Sequence, residues 1–132
     1  AASDVYKRQG HTFAHAIEWL AEGALAHGEA VSIGMKIAAE LSATLGYIDR
    51  HALALHYRLI DELLALKPGF PEKIDAASIL NTMYVDNKKT GTDVRYVLLR
   101  EIGQCIKGKG DYLISVDRDI VHSVIERFID AY

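Results

Sequence analysis

Residues 29–45 read EAVSIGMKIAAELSATL, and Val31, Ile33, Met35, Ile37, Ala38, Leu41 and Leu45 fall on almost every side of a helical wheel. A helix that is apolar over most of its circumference is stable only where neighbours cover it all round. This segment is therefore expected at the centre of a helical bundle, with the rest of the chain supplying the cover. Half of the 132 residues are apolar and a quarter are charged. That is the composition of one ordinary globular domain with a real core.

The covering elements emerge from the same pattern. Residues 11–26 place Phe13, Ala16, Ile17, Leu20 and Ala24 at three- and four-residue steps, with Gly23 and Gly28 at the far end,. Gly46 is placed to stop the central helix. Asp49 can cap a third helix carrying Leu53, Leu59, Ile60, Leu63 and Leu64, and both prolines of the chain, in KPGFPEK, end it,. Asp75 opens a shorter helix, AASILNTMYVD, and NKKTGTD comes after it as a polar loop. VRYVLLREIG and YLISV read as two strands joined by QCIKGKGD, a small β-hairpin,. Asp117 caps a last helix with Ile120, Val121, Val124, Ile125, Phe128 and Ile129 on its buried side. The predicted fold is mainly α with that hairpin late in the chain. The sequence has no internal repeat and no heptads. It has no strand, Gly-rich loop and helix unit either, so no nucleotide-binding half is read from it.

Charge and composition exclude several classes. A formal net charge of -3, with lysine and arginine scattered, offers no field for nucleic acid,. Trp19 and the seven tyrosines show no spacing suited to base stacking,. No apolar run approaches the ~20 residues of a membrane span. The single cysteine, Cys105, cannot pair within the chain, which fits a reducing, cytoplasmic setting,. No adjacent base marks it as a nucleophile. The opening AASDVYKRQ has no initiator Met, and its pattern does not match that of the segment from Gly10 onward. Residues 1–9 are read as a truncated or foreign junction, and residues 10–132 as the domain.

Three of the six histidines fall between Gly10 and Val31. His11 and His15, four apart, share one helix face. They can bind one metal ion together, or one can bind metal while the other handles protons. His27 stands sixteen residues after His11, where an antiparallel helix pair would bring its ring back toward the first two. Imidazole suits zinc and similar ions. Chance alone also produces this spacing. The zinc-protease motif is excluded, because Thr12 stands where it needs Glu,. Catalytic zinc takes three protein ligands and an open position. Glu18, on the same face as His11 and His15, is either a third ligand or an acceptor that orients an imidazole. A ligand from outside this chain is the other option. His51, His56 and His122 read as surface or structural residues. Lys88 and Lys89 read as a solvated pair unless a motif claims them.

These segments together resemble 3-dehydroquinate synthase, specifically its C-terminal helical domain. GHTFAHAIE (Gly10 to Glu18) is similar to the family's GHTFGHAIE, HGEAVSIGM (His27 to Met35) to HGEAVAIGM, and the offset between the two agrees. MYVDNKK (Met83 to Lys89) resembles the family's M-x-x-D-K-K, and VRYVLLREIG its next strand. The resemblance implies that His11 and His27 are metal ligands, to zinc or cobalt, with a third, glutamate ligand upstream. It implies that His15 serves the substrate phosphate and proton transfer, and that Lys88 holds substrate. Asn87 stands where the family has lysine, so Lys88 or Lys89 fills that role, Lys88 aligning best. Ala14 replaces a glycine, a helix-favouring change. Arg8 stands where the family has asparagine, and no role is carried to it.

The implied reaction converts 3-deoxy-D-arabino-heptulosonate 7-phosphate to 3-dehydroquinate and phosphate, with NAD and a divalent metal. The NAD-binding domain lies outside this chain, so the isolated chain is expected to be inactive. A homodimer is implied, and the partner is a small sugar acid phosphate. Three rivals stand beside this reading. A related cyclase such as 2-deoxy-scyllo-inosose synthase is kept by DNKK. An iron-dependent alcohol dehydrogenase is disfavoured by GHTF and HGEAVSIGM. A non-catalytic helical interaction module is separated by metal content.

Overall fold

The structure is a computed structural model that describes residues 11–64, 69–90, 96–97, 99–101, 104–105 and 113–132. Among them are five helices: α1 (His11–Ala21), α2 (His27–Thr44), α3 (Arg50–Leu64), α4 (Ala76–Thr90) and α5 (Arg118–Ala131). Helix α2 is the centre that its composition demands. Eleven of its residues are buried, and it packs against α1, α3 and α5, while α4 closes on α1 and α5. Ile33, Ile37 and Leu41 of α2 meet Phe13 and Ile17 of α1, Ile79 and Met83 of α4, and Val121 and Ile125 of α5 in one continuous core. Each such aliphatic side chain contributes about 1.5–3 kcal/mol on leaving water. A smaller cluster under the start of α3 joins Ala39 and Ile48 to Leu53.

Aspartates begin three helices for the same reason. The first amides of a helix lack carbonyl partners, and a short carboxylate just upstream accepts from them. Asp49 accepts from Ala52 at 2.8 Å, Asp75 from Ser78 at 2.8 Å and Asp117 from Asp119 at 2.8 Å. Gly46 ends the α2 region at φ +82°, a left-handed value that glycine adopts without a Cβ penalty,.

The structure differs from expectation in three helix boundaries and in the burial of one residue. Helix α1 stops at Ala21 rather than at residue 26, because Glu22 (φ +49°) and Gly23 (φ +88°) turn left-handed and leave Ala24 exposed. Helix α2 starts two residues early, at His27. Helix α4 runs to Thr90, so the first part of the expected polar loop, Asn87 to Thr90, is helical. Nothing there breaks a helix before Gly91, and lysine is a good helix former. Ile120, expected inside, is 37 % exposed on the first turn of α5.

Late in the chain are short strands β1 (Tyr96–Val97), β2 (Leu99–Glu101), β3 (Gln104–Cys105) and β4 (Leu113–Ile114). β1 pairs antiparallel with β4, Tyr96 opposite Ile114, and β2 with β3, Leu99 opposite Cys105. The expected connection therefore contributes a strand of its own at Gln104–Cys105. Residues 1–9 and the break around Lys67 and Pro68 lie outside the described residues.

Candidate functional site

His11 and His15 open α1 one turn apart. Their rings meet edge to face, 5.9 Å between centroids and 79° between planes. A ligand held by one imidazole is within reach of the other. The apolar positions of α1, Phe13, Ala14, Ala16 and Ile17, are buried against the bundle, while His15 is exposed and His11 partly so. The core face thus fixes the rotation of α1 and turns the histidine face outward.

Glu18 continues that face, seven residues after His11 and three after His15. It reaches across to the first residue of α2: His27 Nδ1 lies 3.0 Å from Glu18 Oε1 and 3.3 Å from Oε2. The His27 side chain is 66 % exposed and that of Glu18 38 %. Beside them, Glu29 Oε1 accepts from the Ala26 amide at 2.9 Å and steadies the start of α2. Glu18 and His27 thus meet where α1 turns into α2, while His15 and His11 lie one and two turns back along the same face of α1, toward its start. Among the described residues, no group of three or more His, Cys, Asp or Glu side chains is arranged to hold a metal ion. Two imidazoles on separate helices fit zinc or cobalt as donors, but not as a complete set.

Lys88 falls in the last turn of α4, and α4 packs against α1. The side chains of Asp86, Asn87, Lys88 and Lys89 lie outside the described residues. Three other histidines are placed as expected. His51 is exposed, His122 is half-buried, and His56 is buried with Nδ1 donating to the Ala52 carbonyl at 2.7 Å.

Sequence reasoning missed a second polar group. Lys36, 8 % exposed in the middle of α2, binds Asp61 of α3 at 2.7 Å and lies over the Tyr57 ring at 5.5 Å. Tyr57 donates to Glu40 at 2.7 Å. Burial, then this bond to Glu40, pushes the Tyr57 phenol far above its ordinary range,. The available signal was a lone lysine inside an otherwise apolar helix, which requires a partner when buried. Glu40 and Tyr57 also line a cleft of about 330 Å³ with Arg127, Phe128 and Tyr132, none of them a histidine.

The chain is similar to known proteins over most of its length. The family described as 3-dehydroquinate synthase C-terminal matches residues 8–89. A 2-deoxy-scyllo-inosose synthase of Micromonospora echinospora is 36% identical over 121 residues, 88% of this chain and 30% of the relative. A 3-dehydroquinate synthase of Nitrosococcus oceani is 40% identical over 119 residues, 89% of this chain and 32% of the relative. Among solved structures, 2-deoxy-scyllo-inosose synthase complexed with carbaglucose-6-phosphate, NAD+ and Co2+ superposes with a TM-score of 0.78 at 30% identity. That match covers 91% of this chain and 32% of the other. The chain spans about a third of the length of the relatives it matches. With most of α1 to α4 inside the matched residues, the chain belongs to the 3-dehydroquinate synthase C-terminal family.

Proposed function

We propose that this chain is the metal- and substrate-binding helical part of a 3-dehydroquinate synthase, an enzyme that eliminates phosphate from 3-deoxy-D-arabino-heptulosonate 7-phosphate. The observation that supports the reading is that His11 and His15 share one face of α1 with Glu18, which meets His27 at the start of α2. In this reading His11 and His27 hold a zinc or cobalt ion, with a third ligand from outside residues 10–132. When bound, NAD takes and returns a hydride and the cation polarises the hydroxyl that is oxidised.

The chain's own residues then have separate tasks. His15, edge-on to His11, is placed to pass a proton to or from the substrate and to hydrogen-bond its phosphate. Lys88, on the helix that packs against α1, supplies a cation for the substrate's anionic groups. The apolar face of α1 holds His11 and His15 in register with each other. NAD is bound outside residues 10–132, by a part that the longer relatives carry. A homodimer in the cytoplasm completes the proposal. Among the described residues, no helix is long and apolar enough to cross a membrane.

A second reading, 2-deoxy-scyllo-inosose synthase, is supported by the structural superposition, although the Micromonospora relative is 36% identical against 40% for the Nitrosococcus 3-dehydroquinate synthase. Assay of a full-length parent on both sugar phosphates separates the two, with dehydroquinate formation expected. Elemental analysis of the parent, His11→Ala and His27→Ala tests the metal. Loss of metal in both variants supports the proposal. Unchanged content in both would leave a non-catalytic helical module as the better account.

A further inference from the structure

We infer that Glu18 is a positioning residue that fixes the His27 ring in one tautomer, so that Nε2 is the atom His27 offers to a cation. The inference rests on the reading of His27 as a ligand, and it derives from the chemistry of the two groups in contact. An ionised carboxylate only accepts hydrogen bonds. His27 Nδ1, 3.0 Å from one oxygen and 3.3 Å from the other, must therefore be the donor and carry the hydrogen. In a neutral imidazole one nitrogen carries hydrogen and the other a lone pair. Placing N–H at Nδ1 leaves the lone pair at Nε2. A metal binds the lone pair, and a carboxylate behind the ring also fixes ring orientation and raises ligand basicity.

The placement of Glu18 makes this a property of the fold. Ala16 and Ile17, the residues before it, are buried in the core and cannot rotate away without breaking it. Glu29, in the same first turn of α2 as His27, is occupied with the Ala26 amide and does not compete for the ring. The pair is open to water on both sides, 66 % and 38 % exposed. An exposed pair adds little to folding stability. Its effect on the ring can therefore be measured without unfolding the protein.

The test uses the 132-residue chain, isotope-labelled, with histidine tautomers read from long-range proton–nitrogen spectra. At about pH 8.5, above the ordinary imidazole range, the wild-type His27 ring is expected with hydrogen on Nδ1. Glu18→Ala is expected to move most of the population to the Nε2–H form. The melting temperature should stay within about 2 °C, as for an exposed pair. A zinc titration should then shift the His27 signals, with apparent affinity about 10- to 100-fold weaker in Glu18→Ala. The Nδ1–H signal should persist in the zinc-loaded wild type.

Three results would overturn the inference. They are hydrogen on Nε2 in the wild type, the same tautomer in both proteins, or loss of Nδ1–H on zinc loading because Glu18 moves onto the ion. The metal reading fails differently, through zinc leaving His11 and His27 unperturbed while Glu18 still sets the tautomer.

Discussion

Two ion pairs of α2 point in opposite directions and make opposite contributions. At the start of the helix, His27 meets Glu18 at 3.0 Å with both side chains open to water. Nine residues on, Lys36 meets Asp61 at 2.7 Å with its own side chain only 10 % exposed. The second pair ties α3 to the core, and leaving one partner alone there strands a charge away from water. The first pair is screened by solvent and holds almost nothing together. The polar groups that the fold requires are thus in the middle of α2, and the solvent-open pair is at its start.

Substitutions should sort along the same divide. Lys36→Ala is expected to cost most, about 2–3 kcal/mol, since Asp61 keeps partial access to water and some of the full penalty is relieved. Urea unfolding monitored by circular dichroism measures it, and a loss below about 0.5 kcal/mol, the range of an ordinary surface change, would erase the contrast.

Tyr57→Phe should cost about 1 kcal/mol through the lost bond to Glu40. It also sharpens the comparison through pH. Burial, then the Glu40 hydrogen bond, raises the folded-state phenol above its unfolded value. Its contribution is therefore full below the unfolded value of about 10 and is lost as pH climbs beyond it. Tyr132 is raised in the same direction, chiefly by burial. Wild-type stability should fall above about pH 10, and Tyr57→Phe should fall less steeply there.

Ser32→Ala acts with the opposite sign. The Ser32 hydroxyl is fully buried and finds no hydrogen-bond partner among the described residues. Removing it should raise stability by up to about 1 kcal/mol in the same unfolding experiment, because an unsatisfied buried hydroxyl is unfavourable. The smallest effect belongs to the exposed end. His27→Ala should change stability by less than about 0.5 kcal/mol, while abolishing whatever zinc affinity the chain has.

Much of this division was legible in the residues themselves. The mostly apolar circumference of residues 31–45 predicts a central helix, and Asp49, Asp75 and Asp117 mark helix starts because their short carboxylates suit free amides,. Helix ends were harder to read. Gly23 was visible as a stop, but a left-handed Glu22 has no local signature, so α1 was drawn too long. At Asn87 to Thr90 the polar composition suggested a loop, whereas helix propensity and packing of the preceding turns carried α4 onward. Spacing alone marks the histidines but leaves Glu18 open to two roles, because it carries no information about which way a carboxylate reaches. The Lys36 network went unseen for a related reason. Its partners come from another helix, and such pairing is decided only when the bundle forms.

The turn at Glu22 and Gly23 has a mechanical consequence. Only residues 22–26 separate α1 from α2, and the left-handed pair consumes the slack in that short connection. The five-residue connection and the Glu18–His27 contact at 3.0 Å together couple the end of α1 to the start of α2, so that displacing either helix end carries the other with it.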